Sequence, residues 1–368
     1  MLQKTFVILS FLCCIGYINA APHLTDKKAI KEAKILYRNL FTTATKGIMF
    51  GHQDDTVYGV GWSYEPGQSD VKSVCGDYPA VFGWELGGLE LEWKKNLDDV
   101  PFDVMREHIV AAYERGGINT ISWHPHNPES GLTAWDGKTK TAVKSILPMG
   151  ENHEKYCSWL NNIASFIGSI RNKDGQPIPI LFRPFHEHTA TGFWWASAQC
   201  SVDEYVALWH FTVNYLKNVK QIHNIIYVYS PDIFISRDHY LERYPGDKWV
   251  DILGMDAYHR QQDWDYLSGG NRMLSTLTEI GAEKHKPIAF TETGLEGIPD
   301  PQWWTKWLLP VIKNYPLSYV LLWRNSYQRE NHFFAPHPGS PSAKDFIEFK
   351  NNKEVHILFE NDLPNMYK

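Results

Sequence analysis

Eight short apolar runs, each followed by a cluster of polar side chains, constrain this chain more than any other feature. They lie at 47–51, 80–84, 119–123, 178–182, 225–230, 252–255, 288–291 and 319–323. Between them, apolar residues recur at three- and four-residue spacing over 102–115, 154–171, 203–220, 271–284 and 303–313, which predicts amphipathic helices. Strand-type runs alternating with helices imply parallel pairing through right-handed crossovers. Eight such units close a (β/α)8 barrel, the α/β fold known as the TIM barrel, in a single domain over 21–368. A further helical stretch, 27–40, precedes the first run and is placed to cover the barrel bottom.

The polar clusters follow the runs in order: His52 to Asp55, Glu85, His124, Arg183 with His186, Glu187 and His188, Asp232, Asp256 with Tyr258, Glu292, and Arg324 with Asn325. Surface position alone would scatter polar groups over both ends of the strands. Here they gather at the C-terminal ends, the face on which this fold carries its chemistry. A single glutamate on such a rim is more often structural than reactive. Two change the reading, because Glu187 after the fourth run and Glu292 on the seventh supply an acid and a base or nucleophile, the pair needed to cleave a glycosidic bond. Arg183, His186 and Glu187 crowd one turn, where each sets the protonation of the others. Desolvation beside Phe185, Trp194 and Trp195 would raise the pKa of Glu187 and suit it as general acid. Tyr258 or Arg183 would favour the anion of Glu292.

Composition narrows the setting. Residues 1–20 read as a signal peptide: Lys4, an apolar stretch too short to span a bilayer, then Ile18-Asn19-Ala20 before the expected cleavage. An exported protein, periplasmic or secreted, is expected; a lipid anchor on Cys13 or Cys14 is the weaker reading, since Leu12 stands where a small residue belongs. No second long apolar run follows, so no membrane span is expected. The formal net charge of −6 argues against nucleic acid as partner. Cys75, Cys157 and Cys200 permit one disulfide but not a disulfide framework. Aromatic residues make 14% of the chain, and several stand in polar contexts, as in 61–64, 192–195 and 260–266. Most must be core, yet a flat apolar face edged by hydrogen-bonding groups suits a sugar ring.

Four motifs then carry a specific resemblance. R-P-F-H-E on the fourth run, D-A-Y at 256–258, T-E-T-G at 291–294 and L-W-R at 322–324 resemble glycoside hydrolase family 26, the β-mannanases of a clan of retaining (β/α)8 glycosidases. The resemblance covers about 50–324. It implies hydrolysis of β-1,4-mannosidic bonds through a covalent glycosyl-enzyme, with Glu187 as acid/base and Glu292 as nucleophile. It also implies substrate-site roles for His124, His186, Tyr258, Trp323 and Arg324, and for a tryptophan after the acid/base, either Trp194 or Trp195, with Trp195 preferred. A further subsite tryptophan falls on Trp135 or is missing, and Glu85 has no aligned role. The same motifs occur in enzymes that act on mixed-linkage glucan and β-1,3-xylan. The partner implied is mannan or a manno-oligosaccharide, the state expected is a monomer, and no cofactor or metal is implied, because protein carboxylates supply both steps.

Two other classes compete. A metal hydrolase would draw ligands from His124 and His126 or His186 and His188, but alternate residues of an extended segment face opposite ways and no H-E-x-x-H is present. A non-catalytic sugar-binding barrel would use the aromatics equally well, but has no need of two glutamates at strand ends.

Overall fold

Each of the eight apolar runs becomes a strand in the computed structural model, which describes residues 24–260 and 265–368. The strands are β1 (Ile48–Gln53), β2 (Val81–Glu85), β3 (Ile118–Trp123), β4 (Ile180–Pro184), β5 (Ile225–Tyr229), β6 (Ile252–Tyr258), β7 (Ile288–Gly294) and β8 (Leu317–Leu322). Neighbours in sequence pair in parallel, and β8 returns to β1, Met49 opposite Tyr319, so the barrel is closed. The leader 1–20 with Cys13 and Cys14, and Trp264 of the aromatic segment 260–266, lie outside the described residues. No helix among the described residues is long and apolar enough to cross a membrane.

The core has two layers. Met49, Val81, Ile118, Leu181, Ile226, Val228, Ile252, Ala289, Tyr319 and Leu321 point into the barrel, and Ala33, Leu36, Tyr37 and Leu40 of helix α1 (Lys31–Ala44) pack against them from below, joined by Met366 near the C-terminus. The expected bottom plug is therefore present, displaced four residues along the chain from 27–40. Alternate strand residues such as Phe50, Phe82, Ile121 and Phe182 face outward and bury the apolar stripes of the surrounding helices α2 (Phe102–Arg115), α3 (His153–Ser169), α4 (Val202–Asn214) and α5 (Tyr266–Lys284). Local chemistry sets their ends. A capping box of Ser201 and Glu204 starts α4, and Gly116, at φ 105°, stops α2. Asp265 caps α5 through Leu267 and Ser268, so that helix starts five residues before the expected 271.

The cavity inside so small a barrel admits little bulk. A Cβ on Gly254 of β6 would stand 2.6 Å from the Thr291 side chain of β7, so glycine lets these strands close together at the level of the site. Strands β6 and β7 also run three residues further than their apolar runs, and a register shift interrupts their pairing between Met255 and Asp256. Tyr258 and Glu292 thus sit on strands, not in the loops beyond them. Cys75, Cys157 and Cys200 are all free thiols.

Candidate active site

Arg183 lies on the same face of β4 as Leu181 and so points into the top of the barrel, where its buried guanidinium bridges two strands. One nitrogen lies 2.5 Å from Asp256 Oδ2 on β6, and the other donates to Glu292 Oε2 on β7. The hydroxyl of Thr291 donates to the other oxygen of Asp256 at 2.6 Å. Tyr258 donates its phenol to Glu292 Oε1 at 2.5 Å. Both oxygens of Glu292 therefore accept hydrogen bonds, one from a cation, which fixes the orientation of the carboxylate. Burial opposes the charge on Arg183, but Asp256 and Glu292 more than offset it and keep the guanidinium protonated.

Glu187 is presented by a strained turn. Phe185 and Glu187 have φ of 49° and 53°, left-handed values that cost non-glycine residues roughly 1–3 kcal/mol each. Three contacts hold the turn: the Glu187 amide donates to Ser230 at 2.8 Å, the Tyr205 phenol to the Phe185 carbonyl at 3.0 Å, and the Trp195 indole to the His186 carbonyl at 2.8 Å. Glu187 is half-buried. Desolvation, then the negative charge of Glu292, push its pKa well above the ordinary carboxylate range. Carboxylate oxygens of Glu187, Asp256 and Glu292 all lie within 4.8 Å of one another. Three acidic groups this close suggest a cation site, and the cation at Asp256 and Glu292 is Arg183.

Two histidines extend the site. His124 accepts or donates at Nε2 to His186 Nε2 at 3.1 Å, while its Nδ1 is fixed 2.8 Å from Glu85 Oε2. Burial opposes charge on His124, but contact with Glu85 and the field of Glu292 raise its pKa above the usual histidine value. His186 moves the opposite way, held neutral by burial and by Arg183 and His124. The paired motifs H-P-H and H-E-H do not converge on one ion: His126 turns to Glu90 and His188 to Tyr205 and Tyr229. Glu85, without an aligned role in the sequence, is the residue that fixes His124.

The structure also redistributes the aromatic roles. Trp195 has no exposed surface, lies stacked under Phe193 at 4.5 Å, and supports the strained turn of Glu187; Trp194 is equally buried. The substrate-site role expected of Trp195 is thus corrected, because a ring without exposed surface offers no face to a ligand. Trp135, 53% exposed and stacked on His124 at 5.1 Å, is the ring open to solvent there. Trp323 is half-buried, with its amide bonded to Thr293. Arg324 is oriented by Asp98, 2.9 Å from its Nε, and lies over the ring of Tyr58.

The chain is similar to known proteins over most of its length. The model of glycosyl hydrolase family 26 matches residues 25–331. A β-mannanase of that family from Bacteroides ovatus shares 47% identity and superimposes with a TM-score of 0.89 over 92% of this chain and 98% of its own. A mannan endo-1,4-β-mannosidase of Bifidobacterium adolescentis is 30% identical over 92% of this chain, which spans only 36% of that longer protein. One from Bacillus subtilis is 28% identical, over 85% of this chain and 83% of its own. With the family's profile running through every strand of the barrel and both glutamates inside it, this chain belongs to glycosyl hydrolase family 26.

Proposed function

We propose that this protein hydrolyses β-1,4-mannosidic bonds with retention of configuration. The observation that carries the mechanism is the spacing of Glu187 and Glu292, whose nearest oxygens lie within 4.8 Å. Retention uses carboxyl groups roughly 5–5.5 Å apart, whereas inversion leaves room for a water at roughly 6.5–9.5 Å. The names of the relatives support mannan as the substrate.

The chemistry follows from the charges. Glu292, aligned by Tyr258 and Arg183, attacks the anomeric carbon while protonated Glu187 gives its proton to the leaving oxygen. Forming the glycosyl ester removes the negative charge of Glu292, one of the causes that raises the Glu187 pKa. Glu187 then becomes a stronger acid, resides as the carboxylate, and takes a proton from the water that attacks the ester. One residue thus serves as acid and then as base, because the charge beside it changes between the steps.

A finer reading, mannobiose as main product, is supported by loops that knit together around Arg324. Asp70, the first residue of the short helix Asp70–Cys75, accepts from Val60 and Trp62 of the loop after β1 and, at 2.7 Å, from Asn325 after β8, while Asp98 comes from the loop after β2. An exported protein remains the reading for residues 1–20. Chromatography of products from linear mannan and mannohexaose, with mixed-linkage glucan and β-1,3-xylan alongside, tests both levels. Early, dominant mannobiose is expected. Mixed oligosaccharides would sink the finer reading, and cleavage of only glucan or xylan would sink mannan itself.

A further inference from the structure

The loop after β2 builds the device that holds His124 a second time, around His126. Glu85 is buried and accepts four donors: the amides of Gly87 and His124, the Ser122 hydroxyl and His124 Nδ1. Five residues on, Glu90 is also buried and accepts four: the Gly88 amide at 3.0 Å, the Trp123 indole at 3.1 Å, the His126 amide at 2.9 Å and His126 Nδ1 at 2.8 Å. In both cases the carboxylate fixes the tautomer and turns the opposite nitrogen, Nε2, outward. At His124 that nitrogen meets the catalytic turn through His186.

At His126 the neighbour is an indole. Trp93 is 47% exposed and meets the His126 ring edge-on at 4.8 Å. Its position is built: Gly88, at φ 97°, lies under it, and a Cβ there would stand 2.6 Å from the indole. Asn162 of α3 anchors the same loop by donating to the Glu90 carbonyl at 3.1 Å. An exposed tryptophan alone is ordinary. A rigid exposed indole beside an imidazole preset by a buried carboxylate is a ready sugar contact, with a face for C–H groups and a nitrogen for a hydroxyl.

We propose that Trp93 and His126 form a carbohydrate subsite on the rim of the catalytic face. It takes one hexopyranose ring of the substrate main chain, outside the rings that touch Glu187 and Glu292. The inference rests on the mannan reading above, and the test separates the two. Binding is measured by calorimetry in a Glu292→Ala background, with mannohexaose and mannobiose as ligands and thermal melting to confirm folding. Adding Trp93→Ala should weaken mannohexaose about 10-fold, the usual scale for truncating an aromatic anchor, with mannobiose unchanged; Trp93→Phe should lie between. If the parent binds mannohexaose and Trp93→Ala binds it equally well, the subsite is refuted while the mannan reading stands. If both ligands weaken together, Trp93 acts on the catalytic centre and the remote subsite is again refuted. If the parent binds neither manno-oligosaccharide, the mannan reading falls and the subsite with it.

Discussion

At the scale of single residues, the site sets two carboxyl groups side by side and favours a proton on one of them, Glu187. The raised pKa of Glu187 has burial as its first cause and Glu292 as its second. Replacing Glu292 by Gln should therefore lower the Glu187 pKa while leaving it above the ordinary carboxylate value. A 13C titration of labelled glutamate reads this directly, and an unmoved resonance would break the proposed link between the two steps. Tyr258→Phe removes a hydrogen bond to a charged group, an interaction of about 1.5–3 kcal/mol. Its kcat should fall roughly 10- to 150-fold by that figure, with KM changing less; a raised KM with kcat unchanged would mean that Tyr258 acts through binding alone. Glu187→Ala should cost about 10²–10⁴-fold on mannan and much less on an aryl glycoside whose leaving group departs without a proton. Both glutamates were legible in the sequence because each follows an apolar run in a distinctive motif. Sequence places three aromatics at 193–195 without saying which ring is outermost, and folding buries all three. Glu85 and Glu90 became intelligible only when β2 and β3 were paired, although their five-residue spacing opposite H-P-H was a signal available to read.

Among the elements, β6 and β7 carry the tightest constraint. Their apolar runs stop at 255 and 291, but the strands continue because Asp256, Tyr258 and Glu292 find partners at the top of the barrel, Arg183, Thr291 and one another, while Thr293 bonds Tyr266 of the surrounding helix α5. Apolar periodicity locates strands by their burial, so it underestimates those that end in a buried polar network. The same logic explains why 266–270 escaped notice as helix: Tyr-Leu-Ser-Gly-Gly reads as a turn, yet Tyr266 is buried and bonded to Thr293 at 2.8 Å. Gly254 sets the distance between β6 and β7. A Gly254→Ala variant should lose about 1–3 kcal/mol to overpacking and lose activity as well, since Thr291 must move and it holds Asp256. Urea unfolding with parallel assays checks this; an unchanged midpoint would show that the strands separate freely.

Across the whole molecule, the top of the barrel concentrates buried acids and the bottom is closed by apolar packing. Asp54, beside Tyr58 near Arg324, has its pKa pushed up to about 8, by burial first and Asp98 second. The folded chain holds a proton there that the unfolded chain releases near the ordinary value of 3.8. That contribution to stability is fully present below the ordinary value and is lost as pH rises through the folded one. Asp54→Asn should flatten the decline in stability across this window, by at most about 1.4 kcal/mol per pH unit for one proton. Parallel urea midpoints for the two proteins from acid to mild alkali would contradict it. At the opposite pole, the Thr25 amide bonds Asp251, Asp26 pairs with His223, and Tyr367 reaches the Gly117 carbonyl, so both described ends of the chain are fastened under the barrel. A surface, a lipid or a second module joined at either end would therefore hang from the closed pole and leave the cleft pointing away from its attachment, open to a polymer arriving from solution.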